Sequence, residues 1–230
     1  MTLLDRLLLA AAGVVALYMV IHFLGTRRKT AGEAAPAFPL YYATSFAVIL
    51  VAGLLLIAFG YGSLANPLVV IAAALIPLAL SLGLVGELHP DREKAYLLFA
   101  AVGLAAIAVT RFVGPAGLAT VVLAAVHSVA GLVIFFLPLA AWRGGRRPAV
   151  FALVTVGGTL IGIGGIALAF LKVGAPILPA AVIFAILAPV LFLMTASFAW
   201  GLLRGGQAAG LPVTTEEGKA RAPGAGLPPA

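Results

Sequence analysis

Two imidazoles stand inside apolar runs of this chain. His127 lies in VVLAAVHSVAGLVIFFLPLAAW (residues 121–142) with Ser128 beside it, and His22 lies in LYMVIHFLG (residues 17–25). Imidazole changes charge near neutral pH, ligates metals and carries protons. An ionisable group surrounded by hydrocarbon is costly, so each is a candidate ligand or pathway residue. The competing reading for His127 is a neutral ring hydrogen-bonded to a neighbouring helix. Two prolines, Pro77 and Pro189, also interrupt apolar runs. Each removes a backbone donor and leaves a carbonyl that needs a partner or a cavity.

Other chemistries are poorly served. The absence of cysteine excludes thiolate metal sites, disulfides and cysteine nucleophiles. No Asp or Glu falls in the middle of an apolar run, so a carboxylate relay lacks an obvious carrier. A haem held by two imidazoles needs both at one depth, yet His127 and His22 differ by roughly 10 Å at a helical rise of about 1.5 Å per residue. His127 and Ser128, adjacent on a helix, point in different directions and have no orienting acid, so a serine hydrolase is not expected. The glycines of GIGGIALA (162–169) match a dinucleotide fingerprint only loosely and follow no strand. No cofactor, no metal site and no enzymatic activity are expected.

The elements that carry these residues follow from composition. The chain has 230 residues, 63% hydrophobic and 9% charged, with a mean hydropathy of +1.21. About a quarter of the residues of a soluble domain are charged, so most of this surface must meet lipid. A helix needs about 20 apolar residues to cross the hydrocarbon core. Seven stretches qualify: Leu3–Leu24, Tyr41–Gly60, Pro67–Gly86, Ala95–Phe112, Leu118–Trp142, Ala149–Leu171 and Ile177–Leu203. Their continuity, without period-two alternation, excludes barrel strands. The chain therefore reads as an all-α, polytopic integral membrane protein with seven transmembrane helices. Residues 1–204 form the membrane domain and 205–230, rich in Gly, Pro and Ala, a disordered cytoplasmic tail.

Charge sets the expected direction. Arg27, Arg28, Lys29, Arg92, Lys94, Arg143, Arg146, Arg147, Arg204, Lys219 and Arg221 fall on one side, against Arg6, Arg111 and Lys172 on the other. Positive residues stay inside, which places the N-terminus outside and the C-terminus in the cytoplasm of a cell-membrane protein. The formal charge of +7 thus serves topology and anionic headgroups, and no nucleic-acid partner is expected. The inner loop GELHPDREK (86–94) reads as a solvated turn of mixed sign.

Shifting the chain by 112 residues aligns GSLANPLVVIAAALIP (62–77) with GAPILPAAVIFAILAP (174–189), matching Pro67 with Pro179 and Pro77 with Pro189. This suggests a three-plus-one-plus-three plan with parallel halves, 1–86 and 118–203, of the kind that places a site between halves near the midplane. Two familiar seven-span plans do not fit. The last span has no lysine for a retinal Schiff base, and no Pro-Gln pair of the small sugar transporters occurs. Gly157, Gly158, Gly162, Gly164 and Gly165 give span 6 a smooth face for another helix, a second copy or a membrane-complex partner. The expected function is a small-solute transporter or permease-like protein, with His127, Ser128, Pro77, Pro189 and His22 as candidate pathway residues. The alternative is a non-catalytic membrane-anchor subunit of a larger complex, for example a respiratory one. A haem-binding membrane protein comes third.

Overall fold

The computed structural model describes residues 1–29, 35–172 and 177–207. Seven helices are long and apolar enough to cross a membrane, and the described residues contain no strand. They are α1 (Leu3–Lys29), α2 (Phe38–Phe59), α3 (Pro67–Leu88), α4 (Glu93–Val113), α5 (Ala116–Arg143), α6 (Leu153–Lys172) and α7 (Ala180–Gln207). The chain is an all-helical, multi-pass membrane protein. The expected spans match these helices within a few residues at each end, because uninterrupted apolar composition in lipid leaves the backbone no partner except its own helix.

Local chemistry sets several of the ends. Thr2 and Asp5 form a capping box: the Thr2 N–H donates to Asp5 Oδ2 at 2.7 Å and the Asp5 N–H donates to Thr2 Oγ1 at 3.1 Å. The first turn of α1 thereby satisfies donors that hydrocarbon could not. At the start of α3, Asn66 accepts from the Leu68 N–H at 2.9 Å and Pro67 occupies the first helical position. Asn66→Ala is expected to cost about 1 kcal/mol, measured as a fall in thermal midpoint in detergent. Gly60, at φ +68°, ends α2 in a conformation that side chains resist. A 3₁₀ turn, Tyr61–Ala65, then leads to α3. Tyr61 stacks on Phe184 of α7 at 5.4 Å. Burial first, and the Asp5 carboxylate second, push its phenol above its ordinary value, so it stays neutral.

The helices α1–α2–α3–α5–α6–α7 form a closed ring in that order, each in contact with the next and α7 returning to α1. Helix α4 lies outside, against α3 and α5. Half of the apolar stretch of α3 is buried, against 17% for α4 and α5, so α3 is the central element.

Burial is strongly one-sided along the membrane normal. The principal core draws Met19 and Phe23 from α1, Phe46 from α2, Leu80 and Leu84 from α3, Ile134 from α5 and Phe198 from α7. All lie in the half of their helix nearest the basic loops. A second cluster, with Leu78, Ala100, Ile107 and Val126, joins α3, α4 and α5 around mid-depth, and the opposite half holds a smaller one of Leu9, Leu56 and Ala188. There α6 exposes Gly162, Ile163, Gly165 and Ile166, and α5 exposes Ala124, Ala125 and Ser128.

Several helix ends differ from expectation, α1 running on from Leu24 to Lys29 among them, and two bear on the polar contacts below. Helix α3 continues past Gly86 through Leu88, carrying Glu87 into the bundle. Helix α7 continues to Gln207, so Gly205 and Gly206 are helical where the composition predicts a disordered segment from residue 205. The remaining tail, 208–230, lies outside the described residues.

Candidate functional site

The helix extension at Glu87 creates the most concentrated polar contact in the described residues. Glu87 Oε1 accepts from Arg147 Nη2 at 2.7 Å, with each side chain only 8% exposed. Its other oxygen, Oε2, accepts from the Tyr42 hydroxyl at 2.6 Å. Arg147 Nη1 reaches the carbonyls of Gly206 at 3.3 Å and Gly205 at 3.5 Å, and its guanidinium lies over the Phe151 ring at 5.5 Å. One carboxylate, one guanidinium and one phenol thus tie α2, α3 and α7 to the turn between α5 and α6.

Each partner is placed by a local cause. Gly83, one turn before Glu87, leaves the space that the Tyr42 ring occupies: a Cβ there would overlap Cε1 and Cδ1 of that ring. Arg147 is turned inward by the reversal after α5. Gly145 takes φ +68°, and the N–H groups of Arg146 and Arg147 both donate to the Ala141 carbonyl, at 2.9 and 3.1 Å. Pro148 then leads into the 3₁₀ turn Ala149–Ala152. Gly205 has no side chain because Phe151 fills that place. The electrostatics are complementary. The Glu87 carboxylate in the last turn of α3 opposes that helix's dipole, and the Arg147 guanidinium, set against it and against the C-terminal carbonyls of α7, offsets that repulsion.

A second polar layer adjoins the first. The Tyr41 hydroxyl donates to Glu93 Oε1 at 2.9 Å, joining α2 to α4. Gly86 admits the Glu93 carboxylate, which would lie 3.3 Å from a Cβ at that position. The loop 86–94 is therefore a solvated turn only in its middle, where Asp91 and Arg92 form an exposed pair at 3.7 Å. Its two glutamates point into the protein, because α3 and α4 extend over them and supply partners that water would otherwise provide.

The residues singled out in the sequence are spread along the ring. Pro77 lies inside α3 and is half-buried. The Ser45 hydroxyl donates to the preceding carbonyl, Ile76, at 2.9 Å. Ser81 donates to the Pro77 carbonyl at 2.6 Å and accepts from Tyr96 at 2.9 Å. The turn around Pro77 is thus tied to α2 and α4 by hydroxyls. Pro189 lies inside α7 next to Ala188 of the small cluster with Leu9 and Leu56. His127 is half-buried on α5 beside Val126, and its Nδ1 is buried without a hydrogen-bond partner. Ser128 is exposed. His22 stacks on Tyr18 at 6.2 Å and meets the edge of Phe23 at 5.3 Å.

Pro77 and His127 lie on helices in direct contact. Pro189 and His22 belong to the other side of the ring, and the two imidazoles sit on helices with different principal neighbours. That arrangement does not fit a shared haem iron. Pro138 also lies inside a helix, α5, and neither it nor Tyr42, Glu87 or Arg147 stands out as a site residue in the sequence. The available signal was the i, i+4 spacing that places Gly83 and Glu87 on one face of a continuing helix.

Span 6 divides along its length. Gly157 packs on Phe198 of α7 and Gly158 on Ile134 of α5, whereas a Cβ at Gly162 or Gly165 would meet nothing within 4 Å. Compared with protein-family models, with curated proteins and with solved structures, the chain matches none.

Proposed function

We propose that the protein is a small-solute, permease-like transporter whose basic side is held shut by the Tyr42–Glu87–Arg147 contact. The observation that carries this reading is the concentration of the packed core and the buried ion pair at one end of the ring. A buried ion pair competes poorly with apolar packing as a source of stability. At the end of an apolar bundle it suits a contact that is made and broken as access alternates between the two sides. Seven spans leave the basic side cytoplasmic if the distribution of Lys and Arg sets direction. The imidazole of His127, half-buried on α5 with its Nδ1 buried, is a hydrogen-bonding group that a solute would reach only once the helices around it part.

The natural absence of cysteine makes the test direct. Met194, 1% exposed in the core, lies about 16 Å along α7 from Gly205 at a rise of about 1.5 Å per residue. A single cysteine at Met194, treated with an impermeant thiol reagent from the basic side, should react slowly. Adding Glu87→Gln should speed that reaction by about tenfold, since a charge-assisted hydrogen bond contributes about 1.5–3 kcal/mol. An unchanged rate in a folded variant counts against a gate. His127→Ala should alter the uptake of a panel of labelled sugars and amino acids into vesicles, while costing the fold less than about 1 kcal/mol. Wild-type uptake that equals empty vesicles for every solute rejects transport.

A second reading, a non-catalytic anchor subunit, is favoured by the open face at Gly162 and Gly165 with Ile163 and Ile166 exposed beside it. Small residues there would let a partner helix or a second copy approach closely. Purification in mild detergent, with a stoichiometric companion chain or a dimer, would support it. A monomer that purifies alone would not.

A further inference from the structure

We propose that the groove between α1 and α7 binds an anionic phospholipid, with one acyl chain in the groove and the phosphate between His22 and Arg204. This site is independent of the transport reading. The groove has a volume of about 410 Å³ and is lined by Val14 and Tyr18 of α1 and by Ala196, Ala199, Trp200 and Leu203 of α7. The two alanines leave the hollow and the two aromatics wall it. From Ala196 to Leu203 it runs for about 10 Å at a rise of about 1.5 Å per residue, which suits a segment of hydrocarbon chain.

One helical turn nearer the basic side, each wall carries a polar group held by its aromatic. Arg204, exposed to its surroundings, lies over the Trp200 ring at 5.1 Å. His22 stacks on Tyr18 with the rings 22° apart. Both helices run the same way through the membrane, and Tyr18 and Trp200 line one groove, so His22 and Arg204 come to the same level. The cation–π contact holds the guanidinium at the groove mouth, and aromatic rings favour the headgroup level. Among the described residues Arg204 makes no ion pair: α7 contains no acidic residue and the one acid of α1, Asp5, stands at the far end. Exposed Arg28 and Lys29 at the end of α1 add to the positive field. An apolar groove ending in an uncompensated cation fits an anionic lipid and disfavours a zwitterionic one.

The chain has two tryptophans, Trp142 and Trp200. In a Trp142→Phe background, fluorescence therefore reports on the groove alone. The protein would be placed in phosphatidylcholine vesicles containing increasing amounts of either brominated phosphatidylglycerol or brominated phosphatidylcholine. Quenching of Trp200 should show phosphatidylglycerol favoured by about fivefold, the preference expected for one basic residue at the surface. Arg204→Gln should bring the two lipids to parity. Arg143→Gln, an exposed cation at the same side on α5, should leave the preference intact. Equal quenching by both lipids in the parent protein overturns the proposal. So does an equal loss with Arg143→Gln, which would mean general surface charge, and so does protection of Trp200 from both lipids, which would mean that another chain fills the groove.

Discussion

Alanine at position 87 is expected to cost the protein about 3–5 kcal/mol, because it strands the Arg147 guanidinium in a buried site with no counter-charge. The two α7 carbonyls that Arg147 also reaches are 3.3 and 3.5 Å away and cannot neutralise it. Tyr42 loses its acceptor in the same step. The paired variant Glu87→Leu with Arg147→Met should behave differently. Removing both charges and refilling the volume with hydrocarbon removes the desolvation cost along with the attraction, and such replacements are commonly neutral or stabilising by about 1–4 kcal/mol. Thermal unfolding in detergent, followed by circular dichroism, should therefore order the proteins as paired variant at or above wild type and Glu87→Ala well below. If Glu87→Ala unfolds with wild type, the contact is not buried as described. If the paired variant falls as far as the single one, the ion pair is structural and the argument for a switchable contact fails. A paired variant that folds well yet shows no gain in Met194→Cys reactivity from the basic side would be the apolar, permanently shut form.

Phe151→Ala is expected to cost a similar amount, about 3–5 kcal/mol, the range for deleting a fully buried aromatic side chain. Phe151 is fully buried, and three things depend on its ring. It supports the Arg147 guanidinium from below, it fills the place where Gly205 lacks a side chain, and it belongs to the principal core with Val154 and Leu202. Phe151→Leu should recover most of the loss by refilling the volume while giving up only the cation–π contact. A midpoint for Phe151→Ala within a degree or two of wild type would mean that α7 does not pack against this turn. The glycine surface gives an independent check from the other partner. Gly205→Ala would place a methyl within 3.0 Å of the Phe151 Cα, and overpacking of this kind costs about 1–3 kcal/mol.

The seven helices were legible because each depends on a property that is local in the chain. Twenty apolar residues in a row must form a helix in lipid whatever their neighbours do, since no other conformation satisfies their backbone groups. The direction of insertion is an expectation of the same kind, a count of Lys and Arg in short loops. The ends were less legible, and for a related reason. Glu87 looks like the first residue of a loop because carboxylates leave hydrocarbon. It remains in α3 because Arg147, 60 residues away, and Tyr42, 45 residues away, meet it there. Gly205 and Gly206 look like the start of a flexible tail because glycine disfavours helix. They stay helical in α7 because Phe151 needs the space of one and Arg147 uses the carbonyls of both.

His127 shows the same division. Its depth within an apolar run followed from counting residues, whereas the isolation of its Nδ1 depends on which helices surround α5. Hydropathy and charge bias are sums over neighbouring residues, and a single strand of sequence carries them in full. Partnership between Glu87 and Arg147, or between Trp200 and the far wall of its groove, depends on ring order and helix rotation. Those are set by the side-chain shapes of several helices packing at once, and no local sum contains them.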